Sequence, residues 1–222
     1  MQQGSGAALS LNSLPLKRRS DLHLARKVWH AVGVMLMVGL HYVLTTDQTL
    51  RVVAVLAFVF VSVDVIRQQW QPMNRIVVKI LGPFMREHER NQLAGTTYLI
   101  LGTFLIVWWF PRPIVAMSLL FLAVADPLAS FVGILYGKDK LVGAKSLQGT
   151  LAAFAACTLI AFLYLLLNDL MTERLLMVSL LAGLCGALSE LLPIGRLDDN
   201  FTFPIVNACL LWGIFTIFGG LL

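Results

Sequence analysis

The chain has 222 residues, of which 58% are hydrophobic and only 13% charged, and its mean hydropathy is +0.81. A soluble domain carries about a quarter charged residues, so the composition excludes an ordinary soluble fold and indicates several membrane spans. The formal net charge of +5 does not indicate a nucleic-acid partner, because lysine and arginine fall between apolar runs and form no basic patch.

The first 22 residues are polar and lack the apolar stretch of a signal peptide, so 1–22 reads as a disordered cytoplasmic tail. A single transmembrane catalytic domain is expected over 23–222. Seven spans are expected in it: Trp29–Thr46, Leu50–Ile66, Leu93–Phe110, Arg112–Tyr136, Gln148–Asn168, Arg174–Leu192 and Phe201–Leu222. At about 1.5 Å per residue most of these cover a hydrocarbon core of roughly 30 Å. The fold class is therefore all-α integral membrane. With the amino terminus inside, the inner segments hold 14 basic residues and the outer loops only Arg51, Arg112 and Arg174. That bias sets the orientation and brings every polar cluster to the cytoplasmic side. Short loops and small size suit a bacterial inner membrane.

The first inner boundary reads "ARKVWHAVG". Arg26 and His30 lie four apart on one helical face, Lys27 and His30 three apart, and the three suit a phosphate or a lipid headgroup. Basic residues there are also ordinary membrane anchors. Asp64, near the end of the second span, has Arg67 one turn on, and the pair reads as a structural ion pair at the membrane edge. Between spans two and three, "QPMNRIVVKILGPFMREHER" sets Met73, Ile76, Val77, Ile80, Leu81 and Phe84 at helical spacing. Asn74, Arg75, Lys79 and Arg86 take the other side. The spacing predicts an amphipathic helix in the inner interface, interrupted near Gly82 and Pro83. It serves as a lipid-gathering gate or merely as a connector. Arg86, Glu87, His88, Glu89 and Arg90 form a second charged cluster before the third span.

The fourth span carries Asp126 followed by Pro127. An aspartate inside a span costs about 2.5–3.5 kcal/mol on insertion scales, and such residues face a bundle interior and serve a site. Proline removes the hydrogen bond to the carbonyl of Ala123, so a break lining a polar cavity is expected. Ala129, Ser130, Gly133 and Gly137 follow, which equally suits close helix packing. The next segment, "GKDKLVGAKSLQGT", alternates glycines with Lys138, Lys140, Lys145 and Ser146, as a polyphosphate site would, although the Walker order is missing. The last inner segment holds Glu190 and then Asp198, Asp199 and Asn200. These are hard oxygen ligands suited to Mg²⁺ or another divalent metal, or else helix caps. The three cysteines, Cys157, Cys185 and Cys209, lie inside spans without metal-site spacing.

Five elements in order resemble the CTP-dependent lipid kinases, a family that includes dolichol kinases, phytol kinases and the yeast-type diacylglycerol kinase. They are "RKVWH" at Arg26–His30, "ERNQLAGTTYLILG" at Glu89–Gly102, "ADPLASFVGILYGK" at Ala125–Lys138, "KSLQGT" at Lys145–Thr150, and Glu190 with "DDNFTFP" at Asp198–Pro204. The resemblance implies transfer of the terminal phosphoryl group of CTP, with a divalent metal, to a polyprenol, a phytol-like alcohol or diacylglycerol. It implies Asp126, Lys138, Lys145, Ser146, Asp198, Asp199 and Asn200 as nucleotide or metal residues. Taken with the residue patterns above, Asp126, Lys145 and Asp199 are expected to be catalytic and Lys138, Lys140, Ser146, Gln148 and Asn200 nucleotide-binding. Asp126, Glu190, Asp198 and Asp199 become metal residues, and Arg26, Lys27, His30, Glu89 and Arg90 face the headgroup. The family's usual glutamate is Gln148 here, which suits a neutral hydrogen-bonding role. Phosphatidate cytidylyltransferases resemble the lysine segment, but their H-G-G-x-x-D-R-x-D signature is absent, so cytidylyl transfer to phosphatidate is the second reading. An ion-coupled transporter is the alternative outside enzymes, and polar clusters confined to one side argue against it. The partners expected are a membrane lipid and a nucleotide, not nucleic acid. Oligomeric state is not legible.

Overall fold

The computed structural model describes residues 17–192, 194–195 and 197–220. Among the described residues there are eight α-helices: α1 Lys17–Val43, α2 Thr46–Gln69, α3 Gln71–Leu81, α4 Gly95–Trp109, α5 Arg112–Tyr136, α6 Leu147–Leu167, α7 Leu175–Leu191 and α8 Asp199–Phe218. Residues 1–16 of the expected tail lie outside the described residues, and 17–22 begin α1.

α2, α5, α6, the segment Thr172–Leu191 and α8 are long and apolar enough to cross a membrane. α4 is apolar but has only 15 residues. α1 is long, but His30 and His41 interrupt its apolar half. The helical membrane architecture is therefore present, with five helices meeting the length and composition for crossing among the described residues.

α5 is the most buried of the five and packs against α1, α6 and α8. α7 joins α6 to α8, α4 lies between α8 and α2, and α3 packs against α2. Between helices in lipid the hydrophobic effect supplies little drive, so close packing through small residues takes its place. Gly186 of α7 shows this: a Cβ there would lie 2.9 Å from both the Phe121 ring of α5 and the Cys157 Cβ of α6. Phe121, Leu122, Leu165, Phe203, Leu211 and Phe215 fill the centre.

The structure departs from the expected elements in two places. A small antiparallel hairpin, β1 Lys140–Val142 with β2 Lys145–Ser146, interrupts the all-α pattern, and its turn passes through Gly143 at φ +55°. A Cβ is disfavoured at that angle, so glycine there permits the turn. α5 also runs unbroken through Pro127. The missing N–H therefore leaves α5 one hydrogen bond short but does not break it.

α3 ends where expected, before a 3-10 turn at Gly82–Phe84. It turns Ile76 and Ile80 outward beside Arg75 and Lys79, as a helix lying in an interface would. Asn74 points inward instead and donates to the Arg90 carbonyl at 3.1 Å.

Candidate active site

At one end of the bundle α1, α5, α6, α7 and α8 surround a cavity of about 570 Å³. α5 contributes Asp126, Ala129, Ser130, Gly133 and Gly137 along one face. The hairpin and the start of α6 contribute Lys140, Lys145, Ser146, Gly149 and Thr150. α5 and α6 approach closely here. A Cβ on Gly149 would lie 2.6 Å from the Ala129 carbonyl oxygen, and one on Gly137 would lie 2.7 Å from Ser146 Oγ. The small residues thus set the helix contact that shapes the cavity wall. The Ser146 hydroxyl is turned to local structure: it caps α6 by accepting the Gly149 N–H at 3.2 Å, and it is buried.

Lys145 is the central cation. Its ammonium donates to the Glu190 carbonyl oxygen and lies 3.4 Å from Glu190 Oε1 and 3.5 Å from Asp199 Oδ2. Three elements, β2, α7 and α8, meet at this one charge. Glu190 is 6% exposed, and its Oε2 has no hydrogen-bond partner among the described residues. A buried carboxylate oxygen left without a donor is costly, and it marks a place for a cation.

Across the cavity stand Arg26, Lys27 and His30 of α1 with Asp126 of α5. Burial pulls the Arg26 guanidinium below the ordinary arginine value, and the Arg86 charge adds to that; Glu89, Asp198 and Asp126 act the other way. Burial likewise pulls Lys27 down, opposed by Asp126. Asp126 therefore acts on both Arg26 and Lys27.

Other expected residues are committed to local partners or lie off the cavity wall. Asp198 caps α8 through Oδ1, which accepts the Asn200 N–H at 2.9 Å, while Oδ2 is paired with Arg86. Asn200 lines the cavity and donates to the Gly95 carbonyl at 3.0 Å. Glu89 is 3% exposed and lies 3.6 Å from Arg26. Arg90 is exposed and Lys138 faces outward, neither of them on the cavity wall. Gln148 closes the base of the hairpin: its amide oxygen accepts the Lys138 N–H at 3.0 Å, and its amide nitrogen donates to Asp139 Oδ2 at 2.8 Å. Sequence reasoning left Arg86 out of the site, yet it lines the cavity. The available signal was its spacing from Glu89, three residues on the same turn.

Among the described residues no three acidic, histidine or cysteine side chains form a ready metal cluster. The expected four-carboxylate set does not assemble because Asp198 is committed to Arg86 and to the α8 cap. Mg²⁺ needs only one or two carboxylates when phosphates supply the rest, and Glu190 with Asp199 meets that demand.

No protein-family profile matches the chain, and no solved structure does. Among curated proteins it is 35% identical to a CTP-dependent diacylglycerol kinase of Schizosaccharomyces pombe, across 67% of this chain and 73% of that one. It is 30% identical to the protein of the same name in Eremothecium gossypii, across 94% and 74%. A dolichol kinase of Saccharomyces cerevisiae is 27% identical, across 88% of this chain and 38% of its own length.

Proposed function

The chain belongs to the CTP-dependent lipid kinase family, and from that premise we propose that it phosphorylates diacylglycerol at the cavity described above. The relatives that align over about three quarters of their length carry the diacylglycerol kinase name, which favours that acceptor over a polyprenol or phytol-like alcohol. The observation that carries the site is Lys145 held between Glu190 and Asp199 in a cavity shared with Asp126.

In this reading residues 23–222 form one catalytic domain of seven spans, α1 and α4 included, with the amino terminus cytoplasmic in a bacterial inner membrane. Lys145 and Lys140 bind phosphate oxygens of CTP, and Asn200 holds the start of α8 against α4 beside them. Glu190 and Asp199 hold Mg²⁺, which when bound neutralises charge on the phosphates. Arg26, Lys27 and His30 orient the acceptor lipid. Its hydroxyl oxygen forms the new bond to the γ-phosphorus while the bond from that phosphorus to the β–γ bridging oxygen breaks. CDP leaves with the electron pair, and the hydroxyl proton passes to the Asp126 carboxylate. Preorganised cations acting in a site shielded from water supply most of the catalysis.

Purified protein with Mg²⁺, mixed lipid alcohols and phosphatidate tests this. CTP labelled on the γ phosphate should pass its label to diacylglycerol. Label entering phosphatidate from the α phosphate instead would establish cytidylyl transfer and end the kinase reading.

A further inference from the structure

Arg86 enters the cavity from the segment between α3 and α4. Its side chain is 35% exposed. Nη1 donates to Asp198 Oδ2, and Nε lies 3.9 Å from Glu89 Oε1. Glu89 also faces Arg26 at 3.6 Å, so two guanidiniums flank one buried carboxylate. The segment itself is held firmly. The buried Arg67 donates to the carbonyls of Glu89 at 2.9 Å, Arg90 at 3.2 Å and Gln92 at 2.5 Å.

A guanidinium carries five N–H donors in a planar fork. Asp198 takes Nη1 on one edge. Arg86 lines the same cavity as Lys140 and Lys145, so the guanidinium adds a third cation to that wall. Asp198 has both oxygens engaged, one by Arg86 and one by the Asn200 N–H. A carboxylate neutralised by arginine and committed to a cap is a poor metal ligand, but it is well suited to fixing the arginine's plane.

We propose that Arg86 binds phosphate oxygens of the triphosphate, and that Asp198 is the positioning residue that aims it and not a ligand of the metal. The proposal rests on the nucleotide reading of the cavity. It requires no bond to form or break at Arg86, only charge-assisted hydrogen bonds to the donor nucleotide.

The test uses the full-length protein in detergent. Binding of β,γ-methylene CTP without divalent metal is measured by equilibrium dialysis for the wild type, Arg86→Gln, Arg86→Lys and Asp198→Asn. Asparagine caps a helix about as well as aspartate, so Asp198→Asn removes the ion pair and keeps the cap. Arg86→Gln should weaken binding about ten-fold or more, the scale of a charge-assisted hydrogen bond, with Arg86→Lys weakened less. Adding Asp198→Asn to Arg86→Gln should cost little more, because both changes remove one unit. In the phosphorylation assay Asp198→Asn should lower turnover yet leave the half-saturating Mg²⁺ concentration where the wild type has it. Arg75→Gln, an exposed cation on α3, serves as the control for general loss of charge. Folded Arg86→Gln that binds as well as the wild type would overturn the proposal, and so would a higher Mg²⁺ requirement in Asp198→Asn. Wild-type protein that binds the analogue but transfers no phosphate would instead remove the kinase reading and leave the Arg86 result standing.

Discussion

Lys145 gathers what three separate stretches of sequence supply: the hairpin presents it, Glu190 ends α7 beside it, and Asp199 opens α8 against it. Truncating it to methionine removes the cation and leaves Glu190 and Asp199 facing each other without it. We expect Lys145→Met to lower kcat/KM for CTP about 10²–10³-fold, the scale of losing one preorganised donor. A γ-label assay on folded protein checks this, and a loss smaller than about five-fold would show that Lys145 serves packing alone. The chemical character of this cluster was legible in the sequence, since lysines, acids and glycines at an inner face point to phosphate. What each side chain touches was not legible. Asp198 and Asp199 are neighbours in sequence, yet one caps α8 and pairs with Arg86 while the other turns to Lys145. Gln148 is similar. The unusual amide becomes intelligible only beside Asp139, because the amide nitrogen donates to that carboxylate and a glutamate there would repel it.

α4 is the element that the hydropathy pattern describes least well. Its 15 residues reach about 22 Å, short of a 30 Å core. Its N-cap, Ala94, has no side chain to cap with, and the chain before it is irregular. Asp64 and Arg67 of α2 meet that deficit. Asp64 Oδ2 accepts the Ala94 N–H at 2.8 Å and the Thr97 hydroxyl at 2.6 Å. Arg67, 1% exposed, satisfies three carbonyls of the irregular segment and pairs with Asp64 at 2.5 Å. Irregular backbone at membrane depth is tolerated only where protein groups satisfy it. The sequence spacing revealed the ion pair, but not that it substitutes for the missing turn of α4. Arg67→Met leaves the buried Asp64 carboxylate without its counter-charge and takes the guanidinium away from the carbonyls of Glu89, Arg90 and Gln92. We expect it to cost about 3–5 kcal/mol of stability, read as a lower Tm in detergent. An unchanged Tm would mean that water replaces the guanidinium and that the network is dispensable. The same network carries Glu89 and Arg86 to the cavity, so residual Arg67→Met activity should fall further than stability alone explains.

Whether α1 and α4 cross decides how the whole molecule sits in the bilayer, and the answer fixes which solution the site meets. If both cross, the connection before α3 and the hairpin before α6 lie on one side, and all the cations of the cavity face that same side. If α4 does not cross, α5 alone separates these two segments and they lie on opposite sides. That arrangement conflicts with the geometry, because Arg86 from one segment and Lys145 from the other line a single cavity. Trp108 and Trp109, exposed at the far end of α4, sit where interfacial aromatics anchor a short span. Single cysteines placed in a background lacking Cys157, Cys185 and Cys209 read this out with a membrane-impermeant thiol reagent. Asp47→Cys and Glu173→Cys should react in intact cells. Gln71→Cys and Ala144→Cys should react only after the membrane is opened. Gln71 and Ala144 reporting from opposite sides would remove α4 as a span. All four with sides exchanged would invert the orientation and place the site away from cytoplasmic CTP. The expected pattern sets the nucleotide entrance in the cytosol and the acceptor hydroxyl at the inner headgroup level. A lipid alcohol whose hydroxyl lies at that level and CTP in the cytosol would then meet without either crossing the bilayer.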